Sequence, residues 1–172
     1  LGGIQRIVAA DRASSPDDGF AFGLSGGSLH VESFGVHTYT LDAVDLQAGV
    51  WTHVAAVMDA HNDVTFYVDG VARGTVSHDQ PIHADADDRF LIGSDSVWDS
   101  EATFDGSLDE VVVVGRAIGV DEVGQLAQQR TVGVTGVDAA FRPVLPGSPF
   151  HNTPTAPALA LQLPLDDLSD NS

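Results

Sequence analysis

The sequence predicts an all-β fold: an antiparallel jelly-roll β-sandwich with one short helix and an extended C-terminal tail strand. Three observations lead there. Apolar residues up to position 118 alternate with period two in short runs. Gly- or Asp-rich turns interrupt those runs every 8–12 residues or so, the spacing of sandwiches and jelly rolls. Only residues 119–129 carry a helical pattern, with Asp121 as a cap and Val123, Leu126 and Ala127 as an apolar stripe.

The strands follow in order. Residues 4–10 (IQRIVAA) form the first, ended by a polar turn at 11–18. Residues 20–25 and 28–34 flank Gly26-Gly27, a two-residue hairpin signal. Residues 36–41 add a short strand, and 42–49 a loop. Residues 51–58 (WTHVAAVM) form a strong strand, with Trp51 expected inside. Residues 64–69 (VTFYVD) turn through Asp69-Gly70 into VARGTVS, and this dipeptide favours a type I′ turn. An acidic loop at 79–88 precedes a short strand at 90–93 and a polar loop at 94–103.

Residues 104–117 (FDGSLDEVVVVGRA) are the stretch around which the rest is organised. Four consecutive valines between glycines predict a buried strand, with Leu108, Val112 and Val114 on one face and Asp109, Val111 and Val113 on the other. With both faces largely apolar, the strand is expected in mid-sheet. Its acids, Asp109 and Glu110, then need donors or a cation, because an unpaired charge beside a core is costly.

Beyond residue 133 the character changes. Five of the eight prolines fall in 134–157, which predicts a semi-rigid extended linker between a sandwich at 1–133 and a tail at 158–172. In the tail, Leu159, Leu161, Leu163 and Leu165 alternate strictly, giving a strand with a wholly leucine face. Pro164 favours an edge position for it. Such a face invites aggregation unless it docks.

Composition narrows the function. A net charge of −18 over 172 residues argues against nucleic acid and anionic membrane surfaces as partners. No apolar run approaches the roughly 20 residues of a membrane-inserted helix. All seven basic residues are arginine, and only four of the 25 acids are glutamate. Two readings of the aspartate excess compete: a solvated surface of a salt-adapted or high-GC organism, and an extracellular protein handling calcium through short oxygen ligands. The absence of cysteine neither requires nor excludes an oxidising compartment.

The ordered series WTHVAAVMD, FYVDG with Gly74 after it, FLIGS, FDGSLDEVVVVGRAI, and then Glu122 and Leu126 resembles the laminin-G-like, concanavalin A-like lectin/glucanase domain over roughly residues 4–130. The resemblance implies a jelly roll of two curved sheets. It also exposes a departure. The family's opening strands are expected before residue 4, whereas a segment like its first strand stands at 159–167. The tail therefore begins a next repeat, completes its own sheet, or is donated to a neighbouring copy. A 24-residue linker reaches about 80 Å when extended, against about 35 Å for the domain, so reach allows docking in cis or in trans. The family's first strand implies pairing with residues 108–114.

The resemblance further implies a Ca2+ site, for which Asp105, Asp109, Asp166, Asp167 and Asp170 are the candidates. Asp105 and Asp109 lie about 13 Å apart on a straight strand, so Gly106 must bend the chain for both to bind. The alternative is that Asp105 makes a turn and Glu110 accepts backbone N–H groups. For glycans, Trp98 in its polar loop is the best aromatic platform and Tyr39 a weaker one; a Trp98 folded onto the sheet is the competing reading. An enzyme is not expected. No carboxylate pair suited to glycoside hydrolysis stands out, and His78 and His83 lack metal-ligand spacing. The sequence thus describes an extracellular or cell-surface, non-enzymatic structural module. Its expected partners are neighbouring copies of itself or adjacent repeats, with calcium-dependent carbohydrate binding or adhesion as the alternative.

Overall fold

The computed structural model describes residues 2–12, 15–82, 89–94, 102–128 and 161–162. A first antiparallel sheet holds five strands in the order β4-β3-β2-β1-β8: β1 (Ile4–Arg12), β2 (Ser15–Ser25), β3 (Ser28–Ser33), β4 (His37–Leu41) and β8 (Arg89–Ile92). A second runs β5-β6-β7, from β5 (Val54–Met58), β6 (Val64–Val68) and β7 (Val71–Val76). A two-stranded ladder joins β9 (Val112–Val113) to β10 (Leu161–Gln162), and one helix, α1, spans Val120–Gln128. This is the all-β sandwich that the alternation predicts.

The main core lies between the two large sheets. Val8, Phe22, Val31 and Tyr39 form one cross-strand row of the first sheet, and Phe66, Val54, Met58 and Val64 meet them from the second. Phe22 and Phe66 stack across the gap, with ring centroids 6.5 Å apart. A second, smaller core lies on the other side of β5 and β6. Ala55, Val57 and Tyr67 are covered there by Ile118 and Val123, with Val114 and Leu126 at its margin. Strand β5 therefore has all five residues buried.

Turn chemistry explains the hairpins. Asp69 and Gly70 adopt φ of 51° and 76°, the pair of positive values that a type I′ turn needs. Between β5 and β6, the Asp59 carboxylate accepts the N–H groups of His61 (2.7 Å) and Asp63 (3.1 Å). Those bonds hold its pKa below the usual carboxylate value. Helix α1 starts differently from the expectation. Gly119, not Asp121, precedes the first turn, and its N–H donates to Glu122 Oε2 at 3.0 Å. That is the returning half of a capping box. Arg116 clamps the same carboxylate with both guanidinium nitrogens, and the Glu122 pKa falls to about 2, chiefly through Arg116.

The organising stretch departs most from expectation. Within 104–117 only Val112 and Val113 form a ladder, and Val113 is 42 % exposed. The cause lies one step earlier. Glu110 takes a left-handed φ of 46°, and its N–H donates to Asp109 Oδ1 at 2.8 Å. This local turn breaks the extended chain and resets which side chains face inward. Leu108 and Val111 pack on the main core, while Val114 packs on the helix-side core. The strand with both faces covered is β5, not this one.

Gly23 sits opposite Arg6, at the point where β1 carries an extra residue. A Cβ there would stand 2.0 Å from the Gln5 carbonyl oxygen and 3.0 Å from Arg6 Cα. Backbone cannot yield as a flexible side chain does. Gly23→Val is expected to lower the unfolding free energy by about 1–3 kcal/mol or more, the overpacking range, as a reduced urea midpoint. Exposed Gly115, with nothing within 4 Å of its hypothetical Cβ, should accept alanine with a midpoint close to the parent's.

Candidate functional site

The seam between β5, β9, β10 and α1 is the part of the fold whose assembly depends on the far end of the chain. Leu161 pairs with Val113 and Gln162 with Val112, antiparallel. Strand β10 also lies against β5 and α1. The edge of β5 turned away from β6 carries no ladder partner among the described residues. A tail strand thus fills the space between β5 and β9, within the 108–114 segment that the resemblance implied. Of the four tail leucines, Leu161 is described; Leu159, Leu163 and Leu165 lie outside the described residues, as does the linker at 134–157.

The calcium candidates divide the same way. Asp105 and Asp109 are both exposed. The Asp105 N–H donates to Gln5 Oε1 at 3.3 Å, and Asp109 spends one oxygen on the Glu110 turn. Asp166, Asp167 and Asp170 lie outside the described residues. Among the described residues no three His, Asp or Glu side chains converge as a metal site. Asp105 and Asp109 alone fall short of the six to eight oxygens that calcium takes, so they do not by themselves fit the ion.

Trp98 lies outside the described residues. Tyr39 is placed where it cannot serve as a sugar platform. Its side chain is fully buried in the main core, and its hydroxyl donates to the Gln80 carbonyl at 3.0 Å. His37 and His78 stack beside it, centroids 3.5 Å apart, with His37 edge-on to the Tyr39 ring. These contacts fasten the chain after β7 onto edge strand β4. Burial and the neighbouring His78 lower the His37 pKa.

Sequence reading missed the polar cluster on the outer face of the first sheet. Arg6 is 4 % exposed and His30 4 %. One Arg6 guanidinium nitrogen donates to His30 Nε2 and the other to Glu32 Oε2, and the guanidinium carbon stands 5.6 Å from the Phe34 ring centroid. The signal was available, since Arg6, His30 and Glu32 occupy outward positions of the alternation on β1 and β3. Accepting from Arg6 requires His30 Nε2 to be unprotonated. Burial first, then Arg6, push the His30 pKa down to about 4, against the opposing pull of Glu32.

Two antiparallel sheets, one backed by a helix and flanked by the short β9–β10 ladder, define a jelly-roll β-sandwich module. The family model described as the Concanavalin A-like lectin/glucanases superfamily matches residues 2–124. The chain belongs to that superfamily. No curated protein matches it. Among solved structures it is similar to an S-layer domain-containing protein (residues 221–444) from Clostridium thermocellum ATCC 27405. The two share 22 % identity and a TM-score of 0.38, over 74 % of this chain and 64 % of that one.

The His30 cluster makes a pH prediction. The folded pKa lies below the unfolded one, so the unfolded chain takes up the proton first as pH falls. The contribution is complete above about pH 6.5 and is lost as pH falls towards 4, the window set by the lowered His30 value. His30→Gln is expected to flatten the decline in unfolding free energy over that window by up to ~3 kcal/mol. Urea titrations at half-unit pH steps measure it.

Proposed function

We propose that this chain is a non-enzymatic, extracellular structural module of a repeat or fibre-forming surface protein. Its leucine-faced tail strand completes a sandwich sheet, in its own chain or in a neighbouring copy. The observation that carries this reading is the ladder between Leu161 and Val113 and between Gln162 and Val112, laid against the free edge of β5. A slot bordered by two strand edges gives an entering strand main-chain hydrogen bonds, the mode of strand addition. The alternating leucines add burial worth about 1.5–3 kcal/mol for each one fully covered, before ordering costs. No described helix is long and apolar enough to cross a membrane. Two of the four glutamates, Glu32 and Glu122, are held by arginines and are poorly placed to act as acid and base.

Solution mass and melting temperature test the reading, compared for the full chain, the chain without residues 158–172, and Leu161→Asp combined with Leu163→Asp. Docking in trans predicts oligomers that both changes abolish. Docking in cis predicts monomers throughout, with a clearly lower melting temperature in both altered chains. Unchanged mass together with unchanged melting temperature would remove the tail from the fold.

A second reading, calcium-dependent carbohydrate binding or adhesion, is favoured by the superfamily match. Its ligands are glycans, with Trp98 as the platform and Asp166, Asp167 and Asp170 joining Asp105 and Asp109 around the ion. Binding on a glycan panel should then disappear with Trp98→Ala and with chelator. Binding that survives both treatments would refute it.

A further inference from the structure

His53 is the one buried side chain among the described residues whose polar atoms have no partner: neither Nδ1 nor Nε2 makes a hydrogen bond. The residue is 5 % exposed. Its backbone is tied down on both sides of the pairing with Asp69. The Asp69 N–H donates to the His53 carbonyl at 2.8 Å, and the His53 N–H donates to Asp69 Oδ1 at 3.1 Å. This pairing extends the β5–β6 ladder by one step. It puts His53 on the same face as Ala55 and Val57, the face covered by α1.

The cover there is tight. A Cβ on Gly70, in the turn beside Asp69, would stand 3.0 Å from Ala127 Cβ and 3.2 Å from Gly124 Cα of the helix. Charged groups on the surrounding elements offer little to a cation. Asp69, from the β6–β7 turn, is exposed and spends an oxygen on the His53 backbone. On α1, Asp121 is exposed and Glu122 is clamped by Arg116, while Val123 and Ala127 are the buried residues. Arg73 on β7 is exposed and of the wrong sign. Strand β10 contributes Leu161 and Gln162, neither charged.

We propose that His53 is an acid-sensitive latch between the second sheet and helix α1: neutral, the ring lies closed beneath the helix; protonated, it forces the helix off. A buried imidazolium with no acceptor is costly, and moving α1 is the direct route to water. Burial lowers the His53 pKa to about 4, outweighing the attraction of Asp69. The closed form therefore excludes the proton, and acid favours the open one. Stability of the closed form is complete above about pH 6.5 and declines as pH falls towards 4. Between pH 7.5 and pH 5 the opening equilibrium should rise about 30-fold for that lowered value. Because β10 lies against α1, opening would also loosen the tail joint. That last consequence rests on the assembly reading above; the latch itself does not.

The test is hydrogen exchange on the full chain at pH 7.5 and pH 5, corrected for intrinsic exchange. Peptides covering α1 are compared with peptides covering β2 and β3, in the parent, His53→Leu and His30→Gln. Protection in α1 should fall about 30-fold in the parent and in His30→Gln, and should hold in His53→Leu. Equal loss in His53→Leu, or no loss in the parent, would overturn the latch. Should the leucine variant misfold, the His53 ring signal in the parent decides. Protonation near pH 6.5 with α1 amides still protected overturns the proposal, and protonation coupled to loss of that protection supports it. Acid opening of α1 without any change in tail docking keeps the latch and overturns only its link to assembly.

Discussion

Because β5 is buried on both faces, everything around it must supply apolar surface on an assigned side. Val54, Ala56 and Met58 demand the first sheet, and Ala55 and Val57 demand a cover of their own. That cover is α1, which a two-sheet sandwich would otherwise not need. The helix is short, and an isolated helix of nine residues is marginal in water. Its order comes from packing, from the Glu122 bond to the Gly119 N–H, and from the clamp by Arg116. The requirement propagates to the turn, where a side chain at Gly70, whose φ is 76°, would crowd Ala127 Cβ at 3.0 Å.

The same constraint explains why polar groups are trapped where they are. A strand entering a doubly covered position carries its flanking residues in with it. His53, one step before β5, is buried by the cover that β5 requires, with no partner built for its ring. The Arg6–His30–Glu32 group differs in kind. There a buried guanidinium is matched by a carboxylate and a neutral imidazole, so its desolvation is offset by charge-assisted bonds. One histidine is satisfied and the other is not, yet both exclude a proton. Their losses overlap in pH but fall on opposite sheets.

Much of the fold was legible because hairpins are local statements. Gly26-Gly27 and Asp69-Gly70 sit between alternating runs, and neither turn nor period depends on distant residues. β3, β4, β6 and β7 accordingly lie within a residue or two of the expected limits. The valine run was misread because its outcome turns on one backbone angle, at Glu110, that residue type does not dictate. Tyr39 was misplaced for a different reason. Its burial depends on His78 and Gln80, some forty positions away, and alternation along β4 does not tell which face a late segment will cover. Of the candidate site, the leucine face showed that the tail must dock, and the family resemblance, not the residues themselves, implied the 108–114 segment as its partner. The orphaned ring of His53 could not, because nothing in WTHVAAVM separates a satisfied histidine from an unsatisfied one.

The tail joint sets short-range attraction against long-range repulsion. Each copy carries a net charge of −18 and no lysine to interleave with its aspartates. Two copies approaching to exchange tails therefore repel once they come within about a Debye length of each other, about 8 Å at physiological salt. The β9–β10 ladder acts only at contact and is far less sensitive to ionic strength than the charge repulsion. A strand that closes its own sheet incurs the repulsion within one chain, folded or not, whereas a donated strand incurs it anew with each neighbour. Ionic strength would thus act on the two proposed geometries unequally, favouring a joint between copies more than closure within one chain. On the proposed assembly reading, so acidic a module favours closure within the chain in dilute salt and links copies more readily as the salt rises.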